Sequence, residues 1–127
     1  MRLLVDSHVL LWLLYEPERI GPDAIRAIEQ SESVAVSVAS LWELTLKHRA
    51  GKLLPAPTEL AEGIDALALD ELPLLRRHVV AMRDVVLPHG DPFDAVLIAQ
   101  AQSEARTFVT ADRMLIASRY EAIDVRR

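Results

Sequence analysis

A single α/β domain with a central, mainly parallel sheet is what this sequence predicts. Short apolar or β-branched runs alternate with segments of helical period from one end of the chain to the other. No internal repeat, linker or low-complexity stretch interrupts that alternation. The 127 residues, 51% of them hydrophobic and 26% charged, suit one domain over 1–127 with one proper core.

Arg2–Val5 is a short apolar run ending at Asp6 and reads as a buried strand. Ser7 is placed to cap a helix to about Leu14, with Val9, Leu10, Leu13 and Leu14 turned inward. Gly21-Pro22 breaks the chain, and Pro22 suits the first turn of a helix to about Gln30. Ser33–Val38 alternates and is β-branched, a second strand. It runs into a helix from Val38 to Arg49, for which two caps compete: Ser37 alone, or Ser40 with Glu43 as a capping box. Gly51 supplies the stop.

Leu53–Pro57 connects to a helix from Thr58 to about Leu67, and Leu69–Leu72 is a weak strand. Leu75–Val85 reads as a helix with arginines on one face. Asp91-Pro92 gives the best helix start in the chain, Asp as cap and Pro at the first position, with Phe93, Val96, Leu97 and Ala101 as its apolar face. Thr107–Thr110 is a strand, Arg113–Ser118 a short helix, and Ile123–Val125 an edge strand. Parallel sheets gather working groups at the carboxyl ends of their strands. Asp6 and Asp112 both lie there.

The absence of cysteine excludes disulfides and thiolate metal sites. Arg2 and the apolar residues to Leu14 resemble a secretion leader, but Asp6 and His8 interrupt the run and no small-residue cleavage pattern precedes Glu16-Pro17. The apolar stretches are too short to span a bilayer, so a cytoplasmic protein is expected. The net charge of −5 argues against passive binding of a polyanion, yet a bound divalent cation can invert the field locally.

Every acidic residue has a local explanation. Asp6 and Asp112 suit turns or caps, Asp91 caps before Pro92, Asp94 is favoured in a first helical turn by the dipole, and Glu43 pairs with Ser40. Convergence changes the reading. Two carboxylates about 5 Å apart repel by roughly 3 kcal/mol at an effective dielectric of ~20. Four at one sheet edge call for a hard cation, and all-oxygen ligation favours Mg²⁺ or Mn²⁺ over zinc. Histidines 8, 48, 78 and 89 have no paired ligand spacing and read as solvated or supporting groups. The aromatics are interleaved with aliphatics and read as core, and neither a glycine-rich phosphate loop nor a G-x-S-x-G elbow is present.

Four segments in order carry a resemblance. Leu4-Val5-Asp6-Ser7-His8-Val9-Leu10-Leu11-Trp12 resembles the opening strand of PIN-domain ribonucleases, in particular VapC-type toxins of type II toxin–antitoxin pairs. Ser37-Val38-Ala39-Ser40-Leu41-Trp42-Glu43 with Lys47 and Gly51-Lys52-Leu53, then His89-Gly90-Asp91-Pro92-Phe93-Asp94 with Leu97–Ala101, then Phe108-Val109-Thr110-Ala111-Asp112, resemble the segments that carry the later acids. The resemblance implies a three-layer α/β/α sandwich and a metal-dependent endoribonuclease. It places the catalytic, metal-binding acids on Asp6, Glu43, Asp94 and Asp112, with Thr110 in support. Ser7 and Asp91 stand beside these acids and are taken as supporting too. The resemblance also implies an RNA substrate, a cognate antitoxin that covers the site, a homodimer, and a heterotetramer or larger assembly with the antitoxin. The apolar faces around Leu11–Tyr15 and Leu41–Leu46 offer the antitoxin a groove.

The chain departs from that pattern at Gly90 and Ala95, where relatives commonly carry Arg. Lys47, Arg49 and Lys52, or Arg76, Arg77 and Arg83, are the alternative basic rims for RNA. A PIN-like protein-interaction module without catalysis is the alternative function.

Overall fold

A computed structural model describes residues Met1–Arg127. Five strands, β1 (Arg2–Val5), β2 (Ser33–Ser37), β3 (Asp70–Leu72), β4 (Thr107–Thr110) and β5 (Ala122–Asp124), form one sheet in the order β3-β2-β1-β4-β5. Every pairing is parallel. Seven α-helices supply the crossovers and cover the faces: α1 (Ser7–Tyr15), α2 (Pro22–Gln30), α3 (Val38–Arg49), α4 (Pro57–Ala66), α5 (Arg76–Ala81), α6 (Pro92–Ser103) and α7 (Arg113–Ile116).

The central strand shows why the sheet must be covered on both sides. Leu3, Leu4 and Val5 are all fully buried, so β1 is an apolar run rather than an alternation. Leu3 and Val5 face a core built with Val9 and Leu10 of α1, Ala24 of α2, Leu44 of α3 and Leu60 of α4. Leu4 faces the opposite core, built with Ala39 of α3, Phe108 of β4, Leu115 of α7 and the Val96–Ile98 stretch of α6. The α/β/α sandwich thus follows from two cores on one sheet. Its helix α6 is buried along most of its length, and no helix is long and apolar enough to cross a membrane.

A polar network runs through the second core. Gln100 is fully buried on α6; its Oε1 accepts from Ser37 Oγ at 2.5 Å and its Nε2 donates to the Pro73 carbonyl at 3.2 Å. His78, also fully buried, accepts at Nδ1 from the Leu75 N–H at 3.0 Å. Its Nε2 therefore carries the proton and donates to Glu104 at 2.9 Å. The network ties β2, α5 and α6 together, and it pulls the Glu104 carboxyl below its ordinary range, through His78 first and Arg77 second.

Sequence and structure differ in several details. Asp6, not Ser7, caps α1: its Oδ1 accepts from the Val9 N–H at 2.8 Å, because Asp6 keeps the extended backbone of a strand end. The helix expected through Val85 is α helix only to Ala81 and tightens to a 3₁₀ turn over Met82–Asp84. The edge strand lies one residue earlier than expected, at Ala122–Asp124. Gly51 closes α3 in the left-handed region (φ 75°) and lets the Lys52 N–H bond the Lys47 carbonyl at 2.9 Å.

Candidate active site

Four distant segments bring carboxylates to the carboxyl edge of β1 and β4. Asp6 leaves the end of β1 and is 6% exposed. Both of its oxygens are engaged: Oδ1 by the Val9 N–H, and Oδ2 by Thr110 Oγ at 2.5 Å. Burial pushes its carboxyl upward, and the bonds from Thr110 and Val9 work against that push. Thr110 is the last residue of β4, fully buried, and its Oγ also accepts the Asp112 N–H at 3.0 Å. One hydroxyl thus fixes both acids.

Asp112 caps α7, its Oδ1 accepting from Met114 and Leu115 N–H groups, which leaves Oδ2 turned to the cavity. Asp91 caps α6 through the N–H groups of Phe93 and Asp94. Asp94, a turn into α6, has its carboxyl pushed up to about 7, by burial first and then by Asp91 and Asp6, with Asp112 adding to it and His89 opposing.

Glu43 arrives from α3. The capping box with Ser40 does not form: Ser37 caps the helix through the Ala39 N–H, and Ser40 Oγ is buried without a partner. Glu43 is thereby free to reach across to α1, where Oε1 accepts from Ser7 Oγ at 2.6 Å, while Oε2 lies 3.3 Å from Lys47 Nζ. The cavity enclosed has a volume of about 140 Å³ and no apolar residue in its wall. Asp6, Ser7, Glu43, Asp91, Asp94 and Asp112 all line it, with His8 and Lys47.

The donors fit a hard divalent cation. Carboxylate oxygens dominate, each with lone pairs left after its hydrogen bonds, and both Asp6 and Asp94 have raised carboxyls, through burial first and neighbouring carboxylates second for Asp94. A ring nitrogen already stands at this point. His89 Nε2 sits 3.4 Å from Asp94 Oδ2 and 3.2 Å from Asp112 Oδ2, and its Nδ1 accepts the Asp91 N–H. His89, expected to be a solvated or supporting group, stands among the acids.

The PIN-domain family model matches residues 3–120, a span that holds all four acids. The chain belongs to the PIN-domain family. It is 32% identical over 126 residues to ribonuclease VapC22 of Mycobacterium tuberculosis, covering 92% of each chain. Among solved structures it is similar to VapBC2 from Rickettsia felis bound to a promoter DNA fragment, with TM-score 0.67 and 12% identity over 97% of this chain and 98% of that one. DNA-bound VapBC from Salmonella typhimurium gives TM-score 0.67 and 16% identity, with 97% of both chains covered.

In this PIN domain the two basic rims expected from sequence separate. Arg77 pairs with Glu104 at the far end of α6, and Arg83 with its neighbour Asp84. Glu104 lies ten residues beyond Asp94, roughly 15 Å along the helix axis. Lys47 and Lys52 stay near the acids, both lining a cavity with Ser7 and His8. The aromatics also divide. Phe108 and Trp12 are core, but Trp42 is 55% exposed and meets Phe93 edge-on at 5.1 Å beside the site, because α3 turns Leu44 and not Trp42 inward.

Proposed function

We propose that this chain is a divalent-metal-dependent endoribonuclease, the toxin of a type II toxin–antitoxin pair. One observation carries the proposal: carboxylates from four separate segments converge on a cavity with no apolar wall. Likeness to a protein named as a ribonuclease over 92% of both chains supports RNA as substrate.

Asp6, Asp94 and Asp112 would hold Mg²⁺ or Mn²⁺. When bound, such a cation supplies a water of lowered pKa and offsets charge at the phosphorus. Thr110 fixes Asp6 and Asp112 relative to one another, and Asp91 sets the start of the helix that presents Asp94. Glu43, steered by Ser7 and Lys47, orients the attacking water. Lys47 and Lys52, with Arg49 on the same helix end, are the basic groups for RNA.

A cognate antitoxin is the partner this reading requires, since the structural neighbours are toxin–antitoxin complexes. The exposed apolar stripe of Val38, Trp42 and Leu46 on α3 supports such docking or a second copy of the chain.

The test has two arms. Asp6→Asn and Asp112→Asn abolish Mn²⁺-dependent RNA cleavage while leaving the fold nearly intact. Millimolar Mn²⁺ raises the melting temperature of the wild-type chain, because a ligand of the folded state alone adds stability. Wild-type cleavage by either variant sinks the assignment, and no thermal shift favours the non-catalytic interaction module.

A further inference from the structure

We infer that single-stranded RNA crosses the carboxyl edge of the sheet between two cationic cavities that flank the carboxylates, one at Lys52 with His8 and the other at Arg113 with Arg126. The inference rests on the ribonuclease reading for its ligand and for Lys52, and adds to it the cavity at Arg113 and Arg126 and the path between the two.

The first cavity, about 160 Å³, shares Ser7, His8 and Lys47 with the carboxylate cavity, so the two adjoin. Lys47 is already paired with Glu43, and Lys52 has no carboxylate partner. The left-handed turn at Gly51 folds Lys52 back beside Lys47. Leu11, Leu44 and Leu53 complete the wall. Ammonium groups over an apolar floor match an unpaired nucleotide, whose base can leave a stack and whose phosphate needs a cation.

The second cavity, about 350 Å³, begins at Arg113, the residue next to Asp112. Thr110 and Asp124 are register partners on β4 and β5, and the Val125 N–H bonds the Thr110 carbonyl at 3.0 Å. The residues after Asp124 therefore leave the sheet at the edge where Thr110 holds Asp6. Arg113, Arg126 and Arg127 line this cavity against one acid, Asp124, which lies 3.3 Å from Arg126. Three guanidiniums facing one carboxylate leave net positive charge in a chain of net charge −5. The strand order β5-β4-β1 leads from Arg126, just past β5, to the acids after β4 and β1, and the shared Ser7, His8 and Lys47 lead on to Lys52.

Affinity is measured by fluorescence anisotropy with labelled single-stranded RNA on the full chain carrying Asp94→Asn, over a range of KCl. Each lost phosphate contact lowers the slope of log affinity against log salt by about 0.7 for a single strand. Lys52→Ala and Arg113→Ala are each expected to lower it by about that amount and the double variant by about twice as much. Lys52→Arg retains the slope, and Arg76→Ala, on α5, leaves it unchanged. Slopes unaltered in both alanine variants, or no RNA binding at all, overturn the path. The ribonuclease reading is judged separately by Mn²⁺-dependent cleavage with the wild-type chain. Cleavage with unaltered slopes rejects the path alone; lowered slopes without cleavage reject the nuclease alone.

Discussion

Thr110 donates a 2.5 Å hydrogen bond to Asp6 across 104 positions of sequence. The same hydroxyl accepts from the Asp112 backbone, so one side chain sets the separation of two acids. Thr110→Val keeps the shape but leaves a buried carboxylate oxygen and an N–H short of a partner, at a cost of about 1–3 kcal/mol. Urea denaturation is expected to register that loss, and RNA cleavage to fall at least tenfold. Thr110→Ser, which restores the hydroxyl, recovers most of both.

The Asp94 carboxyl gives metal-free stability an unusual pH slope. Its folded value of about 7 lies above its ordinary 3.8, so the folded state holds a proton that the unfolded chain releases. That contribution is complete below about pH 4 and is lost as pH rises through about 7. Urea midpoints in EDTA should therefore fall across this window, and Asp94→Asn should flatten the fall. With saturating Mn²⁺ the slope should reverse, because the ligands must be deprotonated. A wild-type midpoint in EDTA that climbs no differently from that of Asp94→Asn would remove the basis for this account.

Gln100→Leu strips the buried network at its centre. Ser37 Oγ and the Pro73 carbonyl lose their partner in a core that excludes water. The expected cost is about 1–3 kcal/mol for polar groups left unsatisfied. The Mn²⁺-induced thermal shift should survive, since none of the four acids touches Gln100. Its disappearance would mean the network positions the site itself.

Gly21 is the seat of the C-terminal segment. A Cβ there would meet the Arg127 carbonyl carbon at 2.2 Å and the Arg126 oxygen at 2.3 Å, both backbone atoms. Gly21→Ala is expected to destabilise the fold by about 1–3 kcal/mol, as overpacking does. It should also weaken RNA binding by shifting Arg126. An unchanged melting temperature would show that this segment is not fixed against α2.

Much of this was legible in the sequence because local chemistry and fold agreed. Asp91-Pro92 announces α6, and strand-helix alternation announces the sheet. Where two local solutions were nearly equal, only the fold told them apart: Ser37 caps α3 and leaves Glu43 to bond Ser7, 36 residues away. The place of His89 between Asp94 and Asp112 has no spacing signature, since its partners lie 5 and 23 positions off and only the fold joins them. The arginine cavity was equally hidden. Arg113 and Arg126 come together only through the register of β4 with β5.

That register governs when the site can exist. β4 is inserted between β1 and β5, and it must be in place before Thr110 can seize Asp6. Asp6 and Asp112 stand 106 positions apart, so no local segment of the chain holds the site. Before the sheet forms, the polypeptide holds scattered acids with nothing to align them. The carboxylate cavity and the sheet therefore appear together, and a chain that has not seated β4 beside β1 has no site.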